Sequence, residues 1–298
     1  MTFRRIAVLA TVVLAAFGCS GAQESDEGRI ETVAVADGVY MLEGRGGNIG
    51  VSVGEDGVVL IDDQYAVVTE KIRQAVRRVS DQSIRFVLNT HWHGDHTGGN
   101  ENFGKAGVLI VAHDNVRERM SVEHFIERWD RTIPVAPDEA LPVVTFTETV
   151  TFHLNDEKIH AFHVAHAHTD GDIIVHFRRV DVLHMGDVYF NGMYPFIDVY
   201  SGGSIDGVIA AVDGVLELAG PETKIIPGHG PLSNREELLA YRAMLSGIRA
   251  RIGSMIEAGQ SLEEITAAKP TAELDEKWGQ GFIKPDNFVS IVHESLSK

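Results

Sequence analysis

The chain has 298 residues, 44% of them hydrophobic, 23% charged and 7% aromatic, a composition that excludes disordered, collagen-like and coiled-coil chains. Its 26 Lys and Arg stand against 43 Asp and Glu, and the net charge of −17 repels polyphosphates, so no nucleic acid is expected among its partners. The length suits one large domain or two small ones.

Arg4 and Arg5 precede an apolar run from Ile6 to Phe17 that gives way to small residues, Gly18 to Ala22, which predicts a secretory signal peptide over residues 1–18. The run is too short to remain as a membrane span. Ala16-Phe17-Gly18-Cys19 resembles a bacterial lipoprotein box, which implies cleavage before Cys19 and a lipid anchor on its sulfur. Ser20-Gly21-Ala22 offers an ordinary signal-peptidase site as the alternative. Either route predicts an exported protein, periplasmic or lipid-anchored in a bacterial envelope, with residues 19–29 as a polar tether and 30–298 as the folded domain. Cys19 is the only cysteine, so no internal disulfide is expected.

From Ile30 the pattern is short β runs interleaved with helices. Val33–Leu42 and Asn48–Val53 read as strands, and Glu55-Asp56-Gly57 turns the chain into the strand Val58–Ile61. Val68, Ile72, Val76 and Val79 repeat at helical spacing over 67–79, and Ile84–Leu88 is a buried-type strand. Glu123–Pro142, with Trp129 and three prolines and no sustained period, reads as a long loop or flap. Strands are then expected at 143–146, 150–154 and 158–163, with Asn155-Asp156 as a hairpin turn, followed by 173–177, 182–185 and 224–226. Helices are predicted at 205–219 and 236–258, the second with Leu239, Leu245, Ile248, Ile252 and Met255 on its core face. Strands, then helix and strand, twice over, predict an α/β protein of two similar halves with sheets inside and helices outside.

The segment His91-Trp92-His93-Gly94-Asp95-His96 follows an apolar strand and holds four candidate metal ligands within six residues. Imidazole suits zinc, and a carboxylate among imidazoles suits a second, harder position. Gly94, Gly98 and Gly99 let the backbone turn sharply around one centre. Further on, His163, His166 and His168 lie close together, and spacing alone does not choose among them.

This segment resembles the His-x-His-x-Asp-His signature of the metallo-β-lactamase fold superfamily. Three later segments, His168-Thr169-Asp170-Gly171-Asp172, Met185-Gly186-Asp187 and Ile226-Pro227-Gly228-His229-Gly230, resemble its remaining motifs in the expected order, so the likeness runs from Val33 to the region of His229. The resemblance implies a four-layered αβ/βα sandwich. It also implies His91, His93 and His168 on one zinc, Asp95, His96 and His229 on a second, and Asp187 bridging the two. His168 is preferred over His166 because Thr169 follows it. Two Zn²⁺ ions, with iron or manganese as alternatives, would share a hydroxide nucleophile, and Asp95 would orient it or carry its proton. Asp62 resembles a position that supports the ligand loop through hydrogen bonds. Trp92, Tyr189, Phe190, Tyr194 and Phe196 are candidates for cleft wall or for core. His113, His124, His153, His160, His176, His184 and His293 carry no motif and are expected at the surface or in the core.

The fold hosts many reactions, so substrate has to come from the site. Export argues against glutathione thioesters, and the acidic balance argues against nucleic acids, which leaves a small molecule: a β-lactam, lactone, ester or phosphodiester. The family resemblance puts β-lactam amide hydrolysis first. Three residues beyond Asp187, where a lysine would grip a drug carboxylate, stands Phe190, and Lys224, Arg178 and Asn191 are the candidate replacements. A non-catalytic periplasmic accessory protein is the expectation of another class.

Overall fold

The computed structural model describes residues 28–126 and 130–298. The expected leader, Cys19, the tether through residue 27 and Trp129 lie outside the described residues. The run Val33–Leu42 is two strands, β1 (Glu31–Ala36) and β2 (Val39–Glu43), because Asp37-Gly38 closes a hairpin in its middle. β3 (Ile49–Gly54) and β4 (Gly57–Ile61) continue the antiparallel meander. α1 (Thr69–Arg77) buries Ile72, Ala75 and Val76 and carries the chain to β5 (Ile84–Leu88), parallel to β4. Two short helices follow, α2 (Gly94–Thr97) and α3 (Asn100–Lys105), then β6 (Leu109–His113) and α4 (Asp114–Met120).

The stretch expected as one long loop carries structure of its own. It holds a hairpin of β7 (His124–Ile126) and β8 (Arg131–Ile133) and a 3₁₀ turn at Asp138–Ala140, packed through Ile126, Ala140 and Leu141 against Trp92, Val116 and Met120. β9 (Val144–Phe146) then completes a seven-stranded sheet in the order β1-β2-β3-β4-β5-β6-β9.

β10 (Thr149–Leu154), β11 (Glu157–His163), β12 (Ile173–Phe177) and β13 (Val182–His184) form a second antiparallel meander. α5 (Ile205–Leu218) crosses over to β14 (Lys224–Ile226), parallel to β13, and β15 (Ser233–Asn234) closes a six-stranded sheet. α6 (Arg235–Glu257), α7 (Leu262–Ala267), α8 (Asp275–Trp278) and α9 (Pro285–Leu296) follow. Among the described residues no helix is long and apolar enough to cross a membrane.

Three hydrophobic layers hold this together. Met41, Val59, Ile61, Leu88 and Val111 of the first sheet meet Ile159, Val175, Phe177 and Ile226 of the second. On the outer face of the first sheet Val68, Ile72, Val76 and Phe103 cover Leu42, Val51, Leu60 and Val87. On the outer face of the second, Val208, Val212, Leu245, Ile248 and Ile291 cover Ile174, Leu183 and Ile225. The result is the αβ/βα sandwich of four layers, each sheet buried on both faces where the helices lie. The core face of α6 is Leu238, Tyr241, Leu245, Ile248 and Ile252, whereas Leu239, expected inside, is 41% exposed.

The turns before β4 and before β11 are fastened to each other. The Asp56 backbone N–H donates to Asn155 Oδ1 at 3.1 Å, and the Asn155 N–H donates to Asp56 Oδ2 at 2.7 Å. Asn155 and Asp156 sit at φ 59° and 52°, the left-handed pair that a two-residue hairpin turn requires.

Candidate metal centre

At the other end of β4 and β11 the chain leaves the strands in loops, and these loops carry the titratable residues. His91, His93, Asp95 and His96 follow β5, His168 lies between β11 and β12, Asp187 sits in a 3₁₀ turn after β13, and His229 follows β14. One ligand atom each from His91, His93, His168 and Asp187 falls within 4.8 Å of the others, and the same holds for Asp95, His96 and His229.

Asp187 joins the two groups. Its Oδ2 lies 3.7 Å from His91 Nε2 and 3.6 Å from His168 Nε2, while Oδ1 lies 3.1 Å from His96 Nε2 and 3.4 Å from His229 Nε2. His93 Nδ1 faces His168 Nε2 at 2.9 Å, and Asp95 Oδ2 lies 3.3 Å from His229 Nε2.

Four of the five imidazoles have their other nitrogen taken. His91 Nδ1 donates to the Thr90 hydroxyl at 3.0 Å, which donates to Asp62 Oδ2 at 2.7 Å. His96 Nδ1 donates to the same Asp62 oxygen at 2.7 Å, His168 Nδ1 to the Phe196 carbonyl at 2.8 Å, and His93 Nε2 to Asp198 Oδ2 at 2.9 Å. A nitrogen that keeps its proton for an acceptor leaves the opposite nitrogen as a lone pair. Asp62 is fully buried at φ 67°, a conformation that costs a non-glycine residue and is held here by the contacts its carboxylate makes. Gly47 and Gly228 serve by absence: a methyl group at Gly47 would strike the His96 ring, and one at Gly228 would strike Asp187 Oδ1.

Burial pushes His91 well below the usual imidazole range and His168 down to about 4, so these two rings are neutral. In the second group burial opposes charge but loses. The Asp187, Asp95 and Asp62 carboxylates hold His96 well above its ordinary value, and Asp187 and Asp95 hold His229 up at about 9. Asp187 stays well below the usual carboxylate range because His96, His229 and His91 outweigh its burial, and Asp95 is likewise held at about 2, mainly by His96 and His229.

This donor set fits divalent metal ions. Nitrogen and carboxylate oxygen in two groups of this make-up suit zinc, and iron or manganese as well. His91 Nε2 is buried with no hydrogen-bond partner, an arrangement that costs free energy unless a cation meets it.

The cluster opens into a cavity of about 760 Å³ lined by His93, Asp95, Asp187 and His229 together with Trp92, Phe190 and Phe196. Trp92 serves as wall and as packing at once, 4% exposed and 5.1 Å from the His93 ring. Phe190 stacks on His229 at 5.0 Å. Tyr189 and Tyr194, also candidates for the cleft, lie outside it. Tyr189 is buried between Ser233 and Asn191, and Tyr194 donates to Asp275 Oδ1 while stacking on Phe288, because both rings point into the helical layer.

His166 is exposed, with Nδ1 donating to the Gly202 carbonyl, and His163 stacks on His113 at 4.0 Å, so neither enters the cluster. None of the candidate carboxylate grips lines the cavity. Lys224 is bound to the Val35 carbonyl, Asn191 to the Pro231 carbonyl, and Arg178 lies exposed past the end of β12. The sequence reading missed Asp198, which has no motif beside it, and the lining arginines Arg45, Arg119 and Arg131. For Arg45 a signal existed, the bracket Gly44-Arg45-Gly46-Gly47.

A family profile described as the metallo-beta-lactamase superfamily matches residues 42–247. The chain is 25% identical over 206 residues to a hydroxyacylglutathione hydrolase from Polaromonas sp., covering 67% of this chain and 70% of that protein. Among solved structures it resembles a metallo-beta-lactamase from Pontibacter korlensis, with TM-score 0.61, 18% identity, and coverage of 73% of this chain and 99% of the other. It also resembles a stereoselective inverting sec-alkylsulfatase from Pseudomonas sp., with TM-score 0.65, 19% identity and coverage of 89% of this chain, which spans 50% of that enzyme.

Proposed function

The chain belongs to the metallo-beta-lactamase superfamily, and from that premise we propose that it is an exported, two-zinc hydrolase of a small acyl compound, with the β-lactam amide as the first substrate. The observation that carries this is Asp187, whose two oxygens face two separate sets of nitrogen and oxygen donors. His91, His93 and His168 would hold one ion, Asp95, His96 and His229 the other, and Asp187 both. Two such ions supply Lewis acidity at the scissile carbonyl and make water acidic enough to attack near neutral pH.

The protein's residues do the rest. Asp95 is a quarter exposed to the cleft and ionised at neutral pH, so it takes the proton of the attacking water and returns it to the leaving nitrogen or oxygen as the acyl bond breaks. Asp62, Thr90 and Asp198 hold the imidazoles in register. Trp92, Phe190 and Phe196 give the cavity dry walls against which an acyl side chain can lie. Export rests on Arg4, Arg5 and the apolar run to Phe17, and lipid anchoring on Cys19.

A second reading is hydrolysis of an open-chain ester or thioester. It is favoured by Phe190, which stands where a carboxylate-binding lysine is expected, and by the hydroxyacylglutathione hydrolase relative.

The test is turnover of a chromogenic cephalosporin, a lactone, a thioester and a phosphodiester by zinc-loaded protein lacking residues 1–18, beside its Asp95→Ala variant. Cephalosporin hydrolysis that disappears in the variant supports the first reading. Activity confined to the thioester or lactone moves the protein to the second, and silence on all four leaves an accessory protein and overturns both.

A further inference from the structure

The cavity is apolar over most of its wall, yet three guanidinium groups reach it in a chain whose net charge is −17. Arg119 is committed elsewhere, gripping both oxygens of Asp170 at 2.7 and 2.6 Å. Arg45 and Arg131 are exposed, and among the described residues neither side chain forms a hydrogen bond or ion pair. Glu101, the lining carboxylate outside the metal cluster, is already paired with Lys105.

Arg45 is held in place although its side chain is free. The Gly47 N–H donates to the Asp95 carbonyl at 3.1 Å, and Gln64 Nε2 donates to the Gly47 carbonyl at 2.8 Å. A side chain at Gly46 would collide with the Asp95 carbonyl, so the loop lies directly on the ligand loop. Arg131 begins β8 on the wall formed by the small hairpin, whose Ile126 and Ile133 line the same cavity. Tyr65 lines the same cavity as both arginines and Asp95, and all three bear electrostatically on its hydroxyl.

We propose that Arg45 and Arg131 form an anion clamp at the mouth of the cleft, selecting amphiphilic substrates that carry a carboxylate beside an apolar acyl group. This rests on the hydrolase reading above and names the substrate class for it. The carboxylate lies between the guanidinium groups, which match its two oxygens better than a point charge does. The apolar part lies along Trp92, Ile126, Ile133 and Phe196, and the bond to be cut faces the histidine cluster. The clamp supplies from the β2–β3 loop and β8 the contact that Phe190 withholds.

Titration calorimetry on zinc-loaded protein tests it with N-phenylacetylglycine and, as the neutral control, N-phenylacetylglycinamide. The acid is expected to bind at least tenfold tighter than the amide. Arg45→Ala and Arg131→Ala should each remove much of that preference and the double variant all of it, with Arg→Lys restoring part and amide binding unchanged. Equal binding of acid and amide, or a preference that survives the double variant, overturns the clamp. Because the readout is binding, it stands whichever bond the enzyme cuts; loss of all turnover with the preference intact would sink the hydrolase reading instead.

Discussion

Each imidazole around Asp187 must offer a lone pair to be of use, and what secures this is the acceptor behind it. Asp198 does so for His93 from 105 positions away. Asp198→Asn keeps the bulk and the Ser201 contacts but weakens that acceptor, and we expect metal affinity to fall about 10–100-fold with little change in the melting temperature of the metal-free protein. Competition with a zinc-sensitive dye reads this directly. The seven candidate ligands were legible in the sequence because motifs crowd them together, four of them between His91 and His96. Asp198 and Arg131 were not, because their neighbours in space are strangers in sequence, whereas Arg45 carried a signal in the glycines around it. The raised pKa values of His96 and His229, the latter about 9, carry a further consequence. In metal-free protein at pH 7 both rings are protonated, so an ion entering between them must displace up to about two protons. Heats of zinc binding should therefore differ between buffers of high and low ionisation enthalpy, and affinity should rise as pH climbs towards 9. Heats independent of buffer would refute this. The sign is opposite for the metal-free fold: raised imidazole values stabilise it below the ordinary 6.5, and that contribution is lost as pH rises through about 9.

Secondary structure followed the sequence over most of both sheets and in α5 and α6, whereas β6 and the twelve-residue α9 were not anticipated. β12 and β14 lie where expected, α5 ends one residue early, and α6 is displaced by one residue at each end. Of the core positions expected on α6 only Leu239 differs, since Leu238 and Leu239 both fit a coarse apolar stripe and only packing on the second sheet separates them. Leu238→Ala should cost about 2–5 kcal/mol in urea unfolding, and Leu239→Ala less than about 0.5 kcal/mol. Equal effects would place the helix one residue round. The strands β7, β8 and β15 were not anticipated because two or three residues cannot display alternation and these, unlike the apolar β13 and β14, mix polar and charged residues with few apolar ones.

The molecule is two sheet-and-helix halves, and the candidate ligands are divided between them: His91, His93, Asp95 and His96 come from the first, His168, Asp187 and His229 from the second. Ions bound here would tie the halves together, so a chelator should lower the melting temperature and zinc should restore it. Free metal at a thousand times its dissociation constant is worth about 4 kcal/mol. A melting curve indifferent to chelator would show that the cluster holds no ion. The opposite edge is already fastened by the reciprocal Asp56–Asn155 hydrogen bonds, one length of β4 away, about 17 Å for its five residues. Halves riveted at both edges cannot yawn like a bivalve to admit a guest. Entry and exit must then be a matter of the doorway alone, of the glycine-flanked Arg45 turn and the small hairpin across from it, while the hall behind stays still.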